Sequence, residues 1–382
     1  MSFLTAGFWE VCAVLAVTAA ACAVPGSFVV LRRMALLTDA IGHVLLLGIV
    51  LAFLVTHDLQ SPLLILGAAG IGLVTVGLVE TVSRSRLVKE DAAIGLVFPA
   101  LFALGVILAT LYTRNVHLDV DRVLLGSPEL APLNRMTVGD YDLGPFSLLV
   151  MAGVLVLDIA FVVLLFKELK LSTFDVGLAA ALGFFPAVIH YAFMGLVSLT
   201  AVTAFDAVGP VLVVAFFVVP PATAYLLTDR LGVMVVFGAA IGAAGAIIGT
   251  AAAYQLGVTI SGTVAVVMGL IFSSALIASP RHGLITEAVR RFRHRRDFFD
   301  TMLAIHLLHH EGTMAEEAEN RVDTLHVHLN WPQEKARAVV GRVVHRGWAM
   351  KRGEMLVLTP AGRSVARWAI GAESPAVGES VS

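Results

Sequence analysis

Val233-Met-Val-Val-Phe-Gly238-Ala-Ala-Ile-Gly242-Ala-Ala-Gly245-Ala-Ile-Ile-Gly249-Thr-Ala-Ala-Ala-Tyr254 runs for 22 residues without a charged side chain. A helix needs about 20 apolar residues to cross the hydrocarbon core of a bilayer, so this run is long enough to span. Its glycines fall in two four-residue repeats, Gly238/Gly242 and Gly245/Gly249, and small residues at that spacing let helix backbones approach closely in lipid. Windows of the same character recur at roughly 8–31, 34–55, 62–82, 92–112, 145–166, 187–205, 207–228 and 258–279, which makes nine candidate spans. The window at 187–205 contains His190, and only Phe205-Asp206 separates it from the next, so eight full spans plus a re-entrant helix is the alternative count. Composition agrees with a bilayer setting: 58% of the 382 residues are hydrophobic and 14% charged, against ~25% charged in ordinary soluble proteins. The fold expected is an all-α polytopic membrane helix bundle of 8–9 spans.

Charge divides the chain in two. Residues 1–280 hold 11 Lys and Arg against 16 Asp and Glu, whereas 281–382 hold 15 against 12, with eight of the twelve histidines. The expected division is a membrane domain over 1–283, a basic membrane-surface linker over 284–297, a small polar domain over 298–370 and a disordered tail over 371–382. In the linker, apolar and basic residues interleave as in a helix lying on anionic headgroups. The polar domain reads as helices near 298–311, 314–327 and 332–346, then two short strands around Lys351-Arg352-Gly353. That order matches a winged helix-turn-helix.

Orientation follows from the Lys/Arg bias of short loops. Arg32-Arg33, then Arg84, Arg86 and Lys89, then Lys167 and Lys170, then Arg230 and Arg281 occupy every second connection. Those loops are assigned to the cytoplasm, which puts the C-terminus inside the cell. The first apolar stretch, with Ala-Cys-Ala around Cys22, has no Lys or Arg in residues 1–7 and is read as a retained span rather than a secretory signal. Cys12 and Cys22 share that one span, so they form neither a disulfide framework nor a thiolate metal site. Pro25, Pro99, Pro186 and Pro210 interrupt spans or their ends, where freed carbonyls must find partners in protein or water.

The most informative ionisable residues are Asp39 and His43. Their i, i+4 spacing puts both on one helix face, and an ionisable group inside a span is costly enough to be a functional candidate. A carboxylate and an imidazole make half a site for a borderline divalent metal, which a second copy across a two-fold axis would complete. The competing reading is a pair that only satisfies itself near the inner boundary. Asp158 lies mid-span, Glu80 near an inner boundary and Asp206 at an outer one. Each is either a pathway group or bonded inside the bundle, and Asp206 ranks first. The outward-facing His57-Asp58 and His117-Leu-Asp119-Val-Asp121 could receive metal, although exposed loops carry such residues routinely.

The segment Leu31-Arg-Arg-Met-Ala-Leu-Leu-Thr-Asp39-Ala-Ile-Gly-His43 resembles the start of permeases of the zinc/manganese/iron class of ABC transporters. Later segments match in order: Glu90-Asp-Ala-Ala-Ile-Gly-Leu-Val-Phe98, Phe166-Lys-Glu-Leu-Lys-Leu-Ser-Thr-Phe-Asp175, Ala179-Ala-Ala-Leu-Gly183, Phe205-Asp-Ala-Val-Gly-Pro-Val-Leu-Val-Val-Ala215, Pro220-Pro-Ala-Thr-Ala224 and Pro280-Arg-His-Gly283. The resemblance covers nearly all of 1–283. It implies that Asp39 and His43 line the translocation path and hold the transported Mn2+, Zn2+ or Fe2+, with no permanently bound cofactor. It also implies that Phe174, Asp175, Ala180 and Gly183 contact a separate cytoplasmic ATPase. This chain has Gly42 where the family usually has Ser before the histidine, and Leu47 where it has Pro, so the fine shape of the path is its own. Nothing matches Gly-x-x-x-x-Gly-Lys-Ser/Thr, so ATP hydrolysis is assigned to another polypeptide and the chain is read as a non-catalytic subunit. Its expected partners are that ATPase, an extracytoplasmic metal-binding protein, a second copy or sister permease, and membrane lipid, in a bacterial cell membrane.

The polar domain resembles the winged-helix part of metal-dependent repressors. Lys335, Arg337, Arg342, His345 and Arg346 fall on its presumed recognition helix, with Lys351 and Arg352 on the wing. Such residues can bind DNA phosphates. The domain is nearly balanced in charge and tethered at the membrane, so a regulatory or packing role is favoured over DNA binding. His306, His309, His310, His326 and His328 invite a metal-sensing role, with His306 and His310 spaced for one helix face; solvated surface histidines are the plain alternative. Two competing functions remain: a siderophore or cobalamin permease, which needs a wide path and no ligand-grade Asp/His pair, and a membrane-anchored transcription regulator, which needs specific DNA binding by 297–370.

Overall fold

The computed structural model describes residues 6–58, 61, 63–85, 87–112, 128–138, 141–279 and 283–371. His117, Asp119, Asp121, Arg114, Arg122, Arg86, Arg281 and the tail from 372 lie outside them. The chain forms two compact units, 1–283 and 284–382.

Nine helices of the first unit are long and apolar enough to span among the described residues. They are α1 (Ala6–Leu31), α2 (Ala35–Thr56), α3 (Leu63–Arg84), α4 (Glu90–Tyr112), α5 (Phe146–Leu164), α8 (Pro186–Val208), α9 (Pro210–Leu227), α10 (Leu231–Leu256) and α11 (Ile260–Ala278). Two short helices, α6 (Phe166–Phe174) and α7 (Val176–Ala181), lie between α5 and α8. The hairpin β1 (Arg135–Val138) and β2 (Tyr141–Pro145) precedes α5.

Helix α1 is the most enclosed of these spans, 72% of its apolar window being buried, and its run of small side chains Ala19-Ala-Ala-Cys-Ala23 lets neighbouring helices approach closely. Val11, Leu15, Ala19, Cys22 and Phe28 are fully buried on it, with α10, α9, α5 and α8 packed around. Both cysteines are buried and free, as small packing residues. The glycine repeats on α10 serve two neighbours. Gly238 and Gly242 face Pro221 of α9 and Ala19 of α1, while a Cβ on Gly249 would fall 2.6 Å from the Val264 Cα of α11. Pro186 and Pro210 open α8 and α9 at the first helical position, where the missing N–H costs nothing.

The span with the weakest sequence signal is a full 23-residue helix, α8. Its polar residues are spent on neighbours: Ser198 Oγ donates to the Ala69 carbonyl of α3 at 3.0 Å, and Thr200 Oγ1 bonds Asp158 of α5 at 2.9 Å. Interhelical hydrogen bonds of this kind hold helices together in lipid. His190, which made 187–205 look marginal, is likewise spent on a neighbour, lying 3.3 Å from the Arg32 guanidinium.

The second unit begins with α12 (Leu284–His310), a continuous 27-residue helix. The expected linker and first domain helix are therefore one element, since no Pro or Gly interrupts 284–310. The helix expected over 314–327 is two short pieces, α13 (Glu316–Glu319) and α14 (Leu325–His328). The break between them has a cause. Leu356 N–H donates to the Asn320 carbonyl at 2.9 Å, Val322 N–H donates to the Glu354 carbonyl at 3.0 Å, and Arg321 bridges to Met355, so 320–322 is held as an extended edge. Then follow α15 (Gln333–His345), the hairpin β3 (Ala349–Arg352) and β4 (Met355–Leu358), and α16 (Pro360–Ala369). Sequence reading missed α16, although Thr359 caps it by accepting from Gly362 N–H at 3.2 Å and Pro360 opens it. Leu303, Leu307, Leu325, Val339, Val343, Leu356 and Ala366 form the core of this unit.

Candidate functional site

Asp39 and His43 lie one turn apart on α2, with His43 Nε2 3.5 Å from Asp39 Oδ1. Their neighbours Leu37, Ala40, Ile41 and Val44 are buried against the bundle. The two polar side chains stay on the opposite face, 46% and 39% exposed respectively. The His43 ring stacks on Phe98 of α4 at 5.7 Å between centroids and meets Phe102 edge-on at 6.1 Å. An aromatic wall thus fixes the imidazole while leaving the pair accessible on the surface of a single chain. A carboxylate and an imidazole set side by side on an otherwise apolar helix can offer two ligands to a divalent ion.

Gly42 gives this site its close backing. A Cβ there would lie 2.0 Å from Cζ of Phe205, near the C-terminal end of α8, so the ring occupies the space that any side chain at 42 would need. The contact brings the 205–206 segment to the Asp39–His43 helix, with Asp206 exposed beside it. Leu47 is buried and packs against Gly105 of α4. Asp158 has a different setting. It is fully buried, and Thr200 Oγ1 lies 2.9 and 3.1 Å from its two carboxylate oxygens. His57 closes α2 in the left-handed conformation, its N–H bonding the Phe53 carbonyl, and is exposed.

The expected partner-binding segment is exposed and apolar. Phe174 is 64% exposed at the end of α6. Asp175 caps α7 by accepting from Leu178 N–H at 2.8 Å. Ala180 and Gly183 are exposed, and Gly183 turns the chain with φ +87°. Arg32 is the residue that sequence reading missed here, having counted only as a loop charge. Its guanidinium donates to Thr173 Oγ1 at 3.1 Å, Ser172 Oγ at 3.0 Å and His190 Nδ1 at 3.3 Å, and lies over the Phe193 ring. One side chain thereby ties the end of α1 to α6 and α8. Burial pulls its pKa down to about 10, still charged at neutral pH. No sequence signal distinguished Arg32 from Arg33, because the contact joins positions about 140 residues apart.

In the second unit, His306 and His310 share a face of α12 with ring centroids 4.8 Å apart. His306 Nε2 lies 3.2 Å from the Glu319 carbonyl oxygen, and burial pushes its imidazole below the ordinary histidine range. Three basic side chains on or just after α15 are engaged by α12, while Arg337 and His345 are exposed. Arg342 grips buried Asp300 at 2.7 and 3.0 Å, Arg346 reaches Asp297 at 2.6 Å, and Lys335 Nζ sits 3.1 Å over the Phe299 ring.

Residues 5–279 match the model of the ABC 3 transport family. The manganese transport system membrane protein MntD of Bacillus subtilis (strain 168) is 46% identical over 276 residues, covering 72% of this chain and 93% of that protein. The zinc transport system membrane protein TroD of Treponema pallidum (strain Nichols) is 41% identical over 358 residues, covering 94% of this chain and 97% of that protein. A match of that length runs well into the second unit. Among solved structures, PsaBC from Streptococcus pneumoniae in complex with Fab is similar with a TM-score of 0.61 and 26% identity, covering 73% of this chain and 94% of that one.

Proposed function

The chain belongs to the ABC 3 transport family, and on that premise we propose that it is the permease subunit of an ABC importer whose cargo is manganese or zinc. The observation that carries the cargo reading is the accessible Asp39–His43 pair on α2. A siderophore-type path would have no use for it, and relatives of this chain are manganese and zinc transport proteins. The two residues are ligands for the passing ion, which is substrate and not a resident cofactor. Two such pairs across a permease dimer axis supply four ligands, a number suited to borderline divalent ions. Asp206, beside the Phe205–Gly42 contact, is a further pathway group. Asp158 reads as a tie between α5 and α8, given its bond to Thr200.

The remaining roles extend the same reading. Phe174, Asp175, Ala180 and Gly183 form the docking surface for a separate ATPase, and an extracytoplasmic binding protein delivers the ion. The Lys/Arg-bearing loops, and with them the C-terminus, face the cytoplasm. We read the second unit as a winged helix-turn-helix, a reading supported by the order of α15 and then the β3–β4 hairpin. Arg342, Arg346 and Lys335 are engaged by α12, which favours packing or regulation over DNA, although Arg337, Lys351 and Arg352 stay exposed.

Uptake of radioactive manganese, zinc and iron by cells carrying wild type or Asp39→Ala/His43→Ala at equal membrane abundance tests this reading. Collapse of manganese or zinc uptake supports it. Undiminished uptake of all three metals would make the pair structural and sink the mechanism.

A further inference from the structure

Helix α12 presents His306 and His310 at i, i+4, and the short α13 brings Glu319 against them. One imidazole nitrogen from each histidine and a Glu319 carboxylate oxygen all lie within 4.8 Å of one another. The three side chains are half-buried, so the cluster is more enclosed than a set of solvated surface histidines. Its backbone frame is fixed. Leu303 and Leu307 on the same helix are in the core, and Asn320, next to Glu319, is buried and accepts the Leu356 N–H at 2.9 Å. From α14, His328 Nδ1 lies 2.9 Å from Glu319 Oε2, the kind of outer contact that orients a ligating carboxylate.

We propose that His306, His310 and Glu319 form a second divalent transition-metal site, separate from the pathway pair, with His328 as its orienting partner. Two imidazoles and one carboxylate suit zinc, iron(II) or manganese, and are a poor set for calcium or magnesium, which take oxygen ligands. Bonds of 2.0–2.2 Å in tetrahedral geometry place ligand atoms about 3.4 Å apart. The observed separations exceed that by at most about 1.4 Å, a gap within the reach of side-chain torsions. Three protein ligands leave a fourth position open, the pattern of an exchangeable rather than a closed structural site. The site lies beyond the segment matched by the family, in the part of the chain that also aligns with the Treponema relative. The inference does not rest on the pathway reading.

The test uses the full chain, purified in detergent with Asp39→Ala/His43→Ala to remove the pathway pair, stripped with chelator and titrated with Co2+. Visible d–d absorption and the metal retained after desalting are recorded. The expected result is one equivalent of Co2+ per chain, displaced by Zn2+. Affinity should fall at least tenfold to a hundredfold in His310→Ala and in Glu319→Gln, the range that loss of even an outer-shell partner produces, and stay unchanged in His309→Ala, an exposed neighbour. Fluorescence of Trp331, Trp348 and Trp368 verifies that each variant keeps the second unit folded. No retained cobalt in the parent, or equal binding in folded His310→Ala and Glu319→Gln, overturns the proposal. Failure of the pathway reading would leave this titration unaltered.

Discussion

Gly42 offers a sharp test of the site's geometry. Replacing it with Ala puts a methyl 2.0 Å from Phe205 Cζ, 2.6 Å from Cε2 and 2.8 Å from Cε1. Carbon atoms rest at about 3.5–4.0 Å, so ring or helix must retreat by roughly 1.5 Å. Phe205 is only 5% exposed and has two side-chain torsions, so the retreat forces an off-rotamer ring or a shift of α8 against α2. Overpacking of this kind costs about 1–3 kcal/mol. In detergent, at fixed scan rate, Gly42→Ala should unfold several degrees below wild type, at ~2–4 °C per kcal/mol for domains of somewhat smaller size. Because Asp206 follows Phe205 directly, metal uptake should fall as well. Phe205→Leu removes the far ring atoms, and in that background Gly42→Ala should lose most of its cost, a coupling of the order expected for residues in contact. A Gly42→Ala protein with wild-type stability, or an undiminished cost in the Phe205→Leu background, would refute the close-backing argument.

Arg32→Gln should weaken transport more than ATP hydrolysis, because it loosens α1 from α6 and α8 without touching a nucleotide site; equal loss of both activities in reconstituted complex would argue against a linking role. Thr200→Val should destabilise the bundle by about 1–3 kcal/mol, the cost of leaving a buried acceptor unmet, whereas Asp158→Asn, which keeps an acceptor for Thr200, should be milder; thermal unfolding ranks the two. Arg342→Met leaves the buried Asp300 carboxylate with Arg346 at 3.4 Å, so its cost should sit near the low end of the roughly 3–5 kcal/mol seen when a buried pair loses one member, read by tryptophan fluorescence. The Gly144 N–H and the Arg135 guanidinium hold the Asp142 carboxyl below the ordinary carboxylate range. A depressed folded-state pKa contributes stability above the unfolded value that is lost as pH falls through the folded one. Exchange-corrected protection of residues 135–138 and 141–145 should therefore fall as pH drops below the ordinary carboxylate range, and Asp142→Asn should weaken that dependence.

The nine spans, the charge asymmetry and the Asp39–His43 spacing were legible because each is local: twenty apolar residues, a cluster of loop cations, one helical turn. At 187–205 the nine-span count holds and the re-entrant alternative falls away, since His190, which made the window look weak, accepts from Arg32 at the end of α1, a partner that no window can see. The split of 314–327 and the capped α16 differ in what the sequence carries. The first depends on strand β4 some 30 residues away, while the second is marked locally by the Thr359-Pro360 start.

By itself the sequence determined that this protein lives in a bilayer, with a polar unit after residue 283 and an acidic–imidazole pair on its second span, because hydropathy and helical periodicity act over one to six turns. Tertiary structure alone decided which of those residues meet. Phe205 fills the space beside Gly42, Arg32 is drawn into α6 and α8, and Glu319 closes on His306 and His310. Each of these contacts joins separate elements, and its geometry is set by how whole helices pack rather than by any local preference of the chain.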